Sequence, residues 1–262
     1  MDFNLEEFER IVKKFEELIP SLQSKLDDVP SVVAKATDHW YVTDDIESFI
    51  KMVGRKIVEF GSWLLSTIKD LLKGIAAPVY MAMAAWDWYE VRGTVTQCQA
   101  DINPDQSKAL REWKGQAATN YKTTSTTQKD AAKRVGEIAE KTATALAACA
   151  AGGAVFYAAV LASFAKGIEA TAAAIAALGS GVFSWAGVCL VFEEAVSQPV
   201  TIWTLVTGLT ALIGAQVSQL AAMQSGLTDN SAFPGGKWPG ANTDSFSDAT
   251  RFDGTASWSV IG

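Results

Sequence analysis

Apolar residues recur at intervals of three and four along most of the chain, which is the spacing of one face of an α-helix. The first such stripe covers residues 5–26, where Pro20 is expected to kink or split the helix and Pro30 to lie just past its end. A second stripe begins after Thr43, an N-cap followed by two acids, and ends near Gly74. Alternation long enough for a strand is missing, so the pattern predicts an all-α fold.

The second half of the chain is also helical in pattern but loses its charges. A third helix is expected from Pro78 to about Ile102, and a polar turn separates it from a long helical stretch. The runs 142–165 and 170–192 contain no charged residue. We interpret the polar residues between them, from Lys166 to Glu169, as the tip of a hairpin of two Ala- and Gly-rich helices. A further uncharged run follows Pro199.

These changes of character predict four segments. They are amphipathic helices over 1–76, a helical hairpin over 77–141, an apolar Ala/Gly-rich helical module over 142–228 and an irregular tail over 229–262. The predicted fold is an all-α helical bundle built on a long helix–turn–helix hairpin, with a second, apolar hairpin. The tail keeps several aromatic residues, in which disordered segments are depleted. We therefore expect an ordered strap, docked on its own subunit or on a neighbour.

Composition argues for interaction rather than for catalysis. Hydrophobic residues make up 49% of the chain and charged residues 19%, with a net charge of −7, so no basic surface for nucleic acid is expected. The single histidine, His39, cannot supply a metal cluster or a catalytic triad, and the sequence has no Gly-rich phosphate loop. The three cysteines show no paired ligand spacing. We predict no enzymatic activity, cofactor, metal or small-molecule substrate.

A Trp-x-Gly motif followed by small residues lies at the polar break between the third and fourth long helical stretches. It reads Trp113-Lys114-Gly115-Gln116-Ala117-Ala118-Thr119-Asn120-Tyr121. This segment resembles the core motif of the WXG100 superfamily, and the resemblance covers roughly residues 78–142. It implies that Trp113 and Gly115 form the tight turn of a helical hairpin, with Tyr121 one of the motif's residues. It also implies a substrate of type VII secretion that pairs with a partner or with itself.

The same resemblance implies an export signal of the form Tyr-x-x-x-Asp/Glu just after the second helix of the hairpin. The only such spacing here joins Tyr41 to Asp45, upstream of the hairpin, so the sequence departs from the family's pattern. The first residues lack the basic region and apolar core of a cleaved signal peptide. The expected location is therefore secreted or at the cell surface without a cleaved signal, with membrane association after export.

Three interpretations of the uncharged hairpin are open: the core of a secreted bundle, a segment that enters a membrane, or a contact between subunits of a homo-oligomer. A bilayer crossing takes about 20 residues, and insertion of the first run is favourable by only about 2–4 kcal/mol. Small residues that would permit close helix contact in lipid or between subunits are spaced by four. They are Thr144, Ala148, Gly152, Ala177 and Gly181.

The predicted function is that of a secreted type VII substrate acting through homo-oligomerisation and protein interaction, with membrane insertion by residues 142–192 as a further property. One rival is an α-helical pore-forming effector that inserts the same residues. A second rival is a structural or chaperone-like partner of another secreted protein.

Overall fold

The computed structural model describes residues 3–39, 42–179, 185–228 and 230–240, and in these ranges it contains helices and no strand. The all-α class predicted from the sequence is therefore confirmed. Its α-helices are α1 (Leu5–Thr37), α2 (Asp44–Leu72), α3 (Ala77–Asp101), α4 (Lys108–Glu112), α5 (Gln116–Gly179) and α6 (Trp185–Leu227). Single 3-10 turns occur at Pro104–Gln106 and Pro234–Gly236.

Helix α1 is longer than its prolines suggest. The Asn4 side chain caps it by accepting the backbone N–H of Glu7 at 3.1 Å. The helix then continues through Pro20 and Pro30 to Thr37, so the predicted end before Pro30 is wrong. Both prolines are exposed, which lets water hydrate the carbonyls that lose their helical donors. The apolar stripe on the opposite side stays buried through both positions: Phe8, Phe15, Leu22, Leu26, Val29 and Ala36.

Glycines on α2 allow α1 and α2 to pack closely as an antiparallel pair. A Cβ added at Gly54 would lie 2.5 Å from Val33 Cγ2, and one added at Gly61 would lie 2.4 Å from Leu26 Cδ2. Real Cβ atoms do not approach other atoms so closely, so only glycine fits without a shift of the neighbour. The two contacts advance in opposite directions along the two helices, which fixes the antiparallel arrangement.

The chain divides into two compact units, and the first contains Met1–Ala82 and Ala147–Ala215. Within it α1 runs parallel to the second part of α5, because the ring pairs Phe8–Tyr157 (5.9 Å) and Phe15–Phe164 (6.2 Å) advance together. The largest fully buried side chains of the described residues all lie in this unit: Phe8, Phe15, Phe164, Leu22, Ile57, Leu64, Ile68, Val29, Val53, Val160 and Thr171.

The sequence-predicted hairpin tip at Lys166 and Glu169 is wrong, because α5 is one continuous helix of 64 residues from Gln116 to Gly179. Lys166 and Glu169 are exposed on the solvent side of α5. Gly167 between them is buried, and a Cβ there would lie 2.5 Å from Leu64 Cδ2 of α2. The glycine therefore serves a close helix contact rather than a turn, and the two flanking charges mark a solvated face.

An apolar hairpin does exist, formed by α5 and α6. Gln198 of α6 hydrogen-bonds Ser163 of α5, and a Cβ at Gly152 of α5 would lie 2.9 Å from Leu212 Cδ1 of α6. These pairs advance in opposite directions, so the two helices are antiparallel. The described ends of the arms are Gly179 and Trp185, so Lys166 and Glu169 lie within the first arm and not between the arms.

The second unit contains Met83–Leu146 and Gln216–Gly262. In it α3 packs antiparallel to the first part of α5: Arg92 pairs with Glu140 at 3.2 Å, and Val95 contacts the position of Gly136. The Gln128 side chain donates to the carbonyl of Pro239 at 2.9 Å, so the described start of the tail docks on α5. The sequence-predicted boundary between residues 141 and 142 lies inside α5.

Candidate interaction surfaces

The Trp-x-Gly residues lie at the break that precedes α5. Helix α4 ends at Glu112, Gly115 has a φ of 101°, and α5 begins at the next residue. A positive φ is unfavourable for residues with a Cβ, which explains a glycine here. The rings of Trp113 and Tyr121 lie 5.7 Å apart, so the structure brings the predicted turn residues together. Both rings are exposed.

The predicted export signal is only partly described. Tyr41 lies outside the described residues, and Asp45 is an exposed acid in the first turn of α2. An acid there interacts favourably with the helix dipole. The helix start is therefore sufficient to explain an acid at position 45. A role of Asp45 in export stays a prediction.

The small residues proposed for close contact occupy different surroundings. Gly152 contacts Leu212 of the same chain. Thr144 is exposed, and its hydroxyl donates to the Glu140 carbonyl at 2.9 Å. Ala148 and Ala177 are half-buried, and Gly181 lies outside the described residues.

A buried polar group joins α5 to α6 in the first unit. Gln198 is 3% exposed and Ser163 is 6% exposed. The Gln198 amide donates to the Ser163 carbonyl at 3.0 Å and to Glu194 Oε2 at 2.8 Å, and the Ser163 hydroxyl donates to the Gln198 side-chain oxygen. Because each buried polar side chain has partners, the group fixes the register of α6 on α5.

The part of α6 in the first unit has one packed face and one exposed face. Ile202, Leu205, Val206 and Leu209 belong to or pack against the core of the unit. On the other side Val200 is 66% exposed and Trp203 is 71% exposed. The exposed side also forms a shallow groove of about 610 Å³ lined by Pro199, Val200, Trp203, Thr204, Thr207 and Gly208. The sequence showed that this run is uncharged, but its exposure is a finding of the structure.

The second unit has an exposed aromatic face on α3. Trp86 is 72% exposed and Met83 is 59% exposed, and the Trp86 and Tyr89 rings contact edge to face at 6.5 Å. The buried hydrophobic residues of this unit, within the described ranges, are alanines and one phenylalanine: Ala85, Ala118, Ala131, Ala132, Ala139, Ala143, Ala145 and Phe233. Large aromatic side chains lie outside and small aliphatic ones inside, the reverse of the usual distribution.

Two helices are long and apolar enough to cross a membrane, by length and composition only. One is the segment Ala117–Gly179, and 39% of the residues in its most apolar stretch are buried. The other is Glu193–Ala221, in which the corresponding share is 6%. Core helices of soluble proteins meet the same criterion, so this is weak evidence by itself. The first segment supplies core residues to the first unit, whereas few residues of the second are fully buried.

Groups that could support chemistry are sparse in the part of the chain that the structure describes. No cluster of three or more His, Cys, Asp or Glu side chains occurs there. Cys149 is buried, and its burial raises the pKa of the thiol. Burial also raises the pKa of the Tyr157 hydroxyl, which donates to the Leu71 carbonyl at 3.0 Å near the end of α2. Tyr157 belongs to the core of the first unit, where its ring contacts Phe8.

Comparison with known proteins gives no match to a family model, to a curated protein or to a solved structure.

Proposed function

We propose that the protein acts by assembling with further copies of itself, through the exposed aromatic face of α3. The reversed distribution of side chains in the second unit supports this proposal. Full burial of a Trp or Tyr removes about 150–250 Å² from water, which is favourable by about 25 cal/mol per Å². A partner would therefore bury a large apolar area on Met83, Trp86 and Tyr89. Each alanine in the unit's own core buries a smaller area.

A second copy of the chain suits this face because α3 carries both a large side chain, Trp86, and a position without a side chain, Gly93. In a pair of α3 helices these two positions would complement each other. A Cβ at Gly93 would meet nothing within 4 Å, so space is open beside α3 at this position. In an antiparallel pairing of two α3 helices about a twofold axis, Trp86 of one copy would lie on Gly93 of the other. Aromatic residues and Met, with charged residues at the margin, are typical of the centre and rim of protein interfaces.

The mass of the particle in solution tests assembly. We expect a discrete oligomer across micromolar concentrations, and we expect Trp86→Glu to shift the protein to monomer because it removes the anchor and adds a charge. Ser24→Glu, at an exposed position of α1, is the matched control and should leave the mass unchanged. A wild-type protein that sediments as a monomer throughout this range would refute the proposal.

We also propose that the assembly is exported through a type VII system, in line with the WXG100 resemblance. The supporting observation is the contact between Trp113 and Tyr121 at the break before α5. In a host that possesses the system, Trp113→Ala should lower the secreted fraction, whereas Trp238→Ala should not. Deleting the genes of the secretion system should abolish secretion of the wild type. Unchanged secretion from the deletion strain would contradict this route.

The rival function, a pore formed by residues 142–192, is less well supported. Phe156, Val160 and Phe164 are at most 7% exposed and belong to the core of the first unit. Moving them into lipid would expose their partners on α1 and α2 to water, which costs free energy in proportion to the apolar area uncovered.

A further inference from the structure

We propose that the exposed face of α6 in the first unit binds the hydrocarbon region of an uncharged lipid bilayer. This face, called here the α6 outer face, is formed by Val200, Trp203, Thr204, Thr207 and Ala211, all of which are exposed. It is separate from the α3 face proposed for self-assembly. The inference goes beyond assembly and does not depend on it.

The absence of charge distinguishes the α6 outer face from the exposed sides of α1 and α2 in the same unit. From Pro199 to Leu227 the sequence contains no Asp, Glu, Lys or Arg. The exposed sides of α1 and α2, in contrast, carry ion pairs such as Arg10–Glu6 and Lys51–Glu47. A helix face exposed only to water has no physical reason to exclude charge over several turns, whereas a face in hydrocarbon must do so.

The threonines of this helix satisfy their own hydroxyl groups. Thr204 donates to the Val200 carbonyl and Thr207 to the Trp203 carbonyl, both at 2.8 Å. Thr210 donates to the Val206 carbonyl at the same distance. Since every polar donor that enters hydrocarbon needs a partner, these bonds let the outer face leave water without unpaired hydroxyls.

The same composition favours lipid over a protein partner as the occupant. A protein interface is surrounded by a polar rim, in which charged side chains contact solvent and the partner. The α6 outer face lacks charges along its length, so a protein partner would have to cover it without such a rim. The acyl chains of a lipid bilayer do not need a polar rim around the surface that they contact. Trp203 suits this environment as well, because tryptophan is enriched where protein meets the membrane interface.

The polar group at the start of the segment indicates how α6 can bind lipid without unfolding. Gln198 and Ser163 hold this end of α6 on α5. Ile202, Leu205 and Leu209 keep the inner face packed on the core. The bilayer therefore has to accept only the outer face, at the level of the upper acyl chains, as interfacial helices do.

Vesicle flotation with the full chain tests this inference. We expect the protein to float with phosphatidylcholine vesicles, and we expect anionic phosphatidylserine not to increase binding, because the chain has a net charge of −7. Thr207→Lys should lower the partition coefficient by about tenfold or more, since a lysine in hydrocarbon is strongly unfavourable. Ser24→Lys adds the same charge at an exposed position of α1 and should leave binding unchanged.

Acyl-chain bromination then identifies the contact. Brominated phosphatidylcholine should quench the tryptophan fluorescence of the wild type more than that of Trp203→Phe. No flotation of the wild type, or equal loss for Thr207→Lys and Ser24→Lys, would overturn the inference. So would a change of particle mass for Thr207→Lys in the absence of lipid, since this outcome assigns the face to a second copy. Trp86→Glu should still float, which separates this inference from the self-assembly proposal.

Discussion

Gly115 is the residue on which the start of α5 depends. Its φ of 101° lies in the left-handed region, yet a Cβ there would meet no atom within 4 Å. The constraint is therefore conformational and not steric, and it acts on the backbone between α4 and α5. The glycine of the Trp-x-Gly motif therefore has a local conformational cause.

We predict that Gly115→Ala lowers the free energy of unfolding by about 1–2 kcal/mol, the cost of a left-handed residue with a Cβ. Gly136→Ala is the control, because Gly136 is helical and its added Cβ would lie at an ordinary 3.8 Å from Val95 Cγ1. It should raise stability by up to about 1 kcal/mol. Chemical denaturation of both variants measures the difference, and equal effects would contradict the backbone argument.

At the scale of elements, the continuity of α5 is the main departure from the sequence-based prediction. Lys166 and Glu169 were expected at a turn because two charges and a glycine interrupt a long apolar run. The structure places both charges on one exposed side and Gly167 against Leu64 of α2. A glycine in an apolar run thus has two explanations, a turn and a close contact, and the local pattern does not separate them.

A proline at residue 169 distinguishes these two explanations. In a continuous helix Glu169→Pro should cost about 3 kcal/mol or more, because it removes a backbone hydrogen bond and clashes with the preceding turn. Glu169→Ala should change stability by less than about 0.5 kcal/mol, since the side chain is exposed. Thermal or chemical unfolding gives both values. A proline variant as stable as wild type would contradict the continuous helix and favour a turn at this position.

At the scale of the whole molecule, the two units differ in how their interiors are filled. The first unit buries Phe, Leu, Ile and Val side chains from α1, α2 and α5. The second buries mainly alanines in its described part, and its Trp and Tyr side chains are exposed. Burial of alanine removes little apolar area from water, so the described part of the second unit has the smaller hydrophobic stabilisation per residue.

We therefore predict unequal hydrogen exchange in the two units. Backbone amides of α2 should exchange slowly, because nine of its residues are buried. Amides of α3 from Met83 onwards should exchange faster in the monomeric Trp86→Glu variant, since few large side chains cover this part of the helix. In the oligomer they should become protected. Protection of α3 that equals that of α2 in the monomer would contradict the difference between the interiors.

Some features of this protein follow from the sequence alone. Apolar spacing of three and four predicted the helices, and the breaks near Gly74 and Pro104 agree with the ends of α2 and α3. Such signals are local, because capping, turn formation and helix periodicity depend on neighbouring residues. The prolines of α1 and the predicted tip at Lys166 and Glu169 are exceptions. Both depend on what packs against the helix, which local signals do not contain.

Tertiary structure alone decided which apolar surfaces are buried. The sequence presents 142–165, 170–192 and the run after Pro199 as similar uncharged stretches. It does not determine which of them is buried. The structure buries Phe156, Val160 and Phe164 in the first unit, leaves the outer face of α6 uncovered and exposes Trp86 on α3. Burial depends on which helices meet over long sequence separations, and hydrophobicity, being non-directional, does not specify the partner.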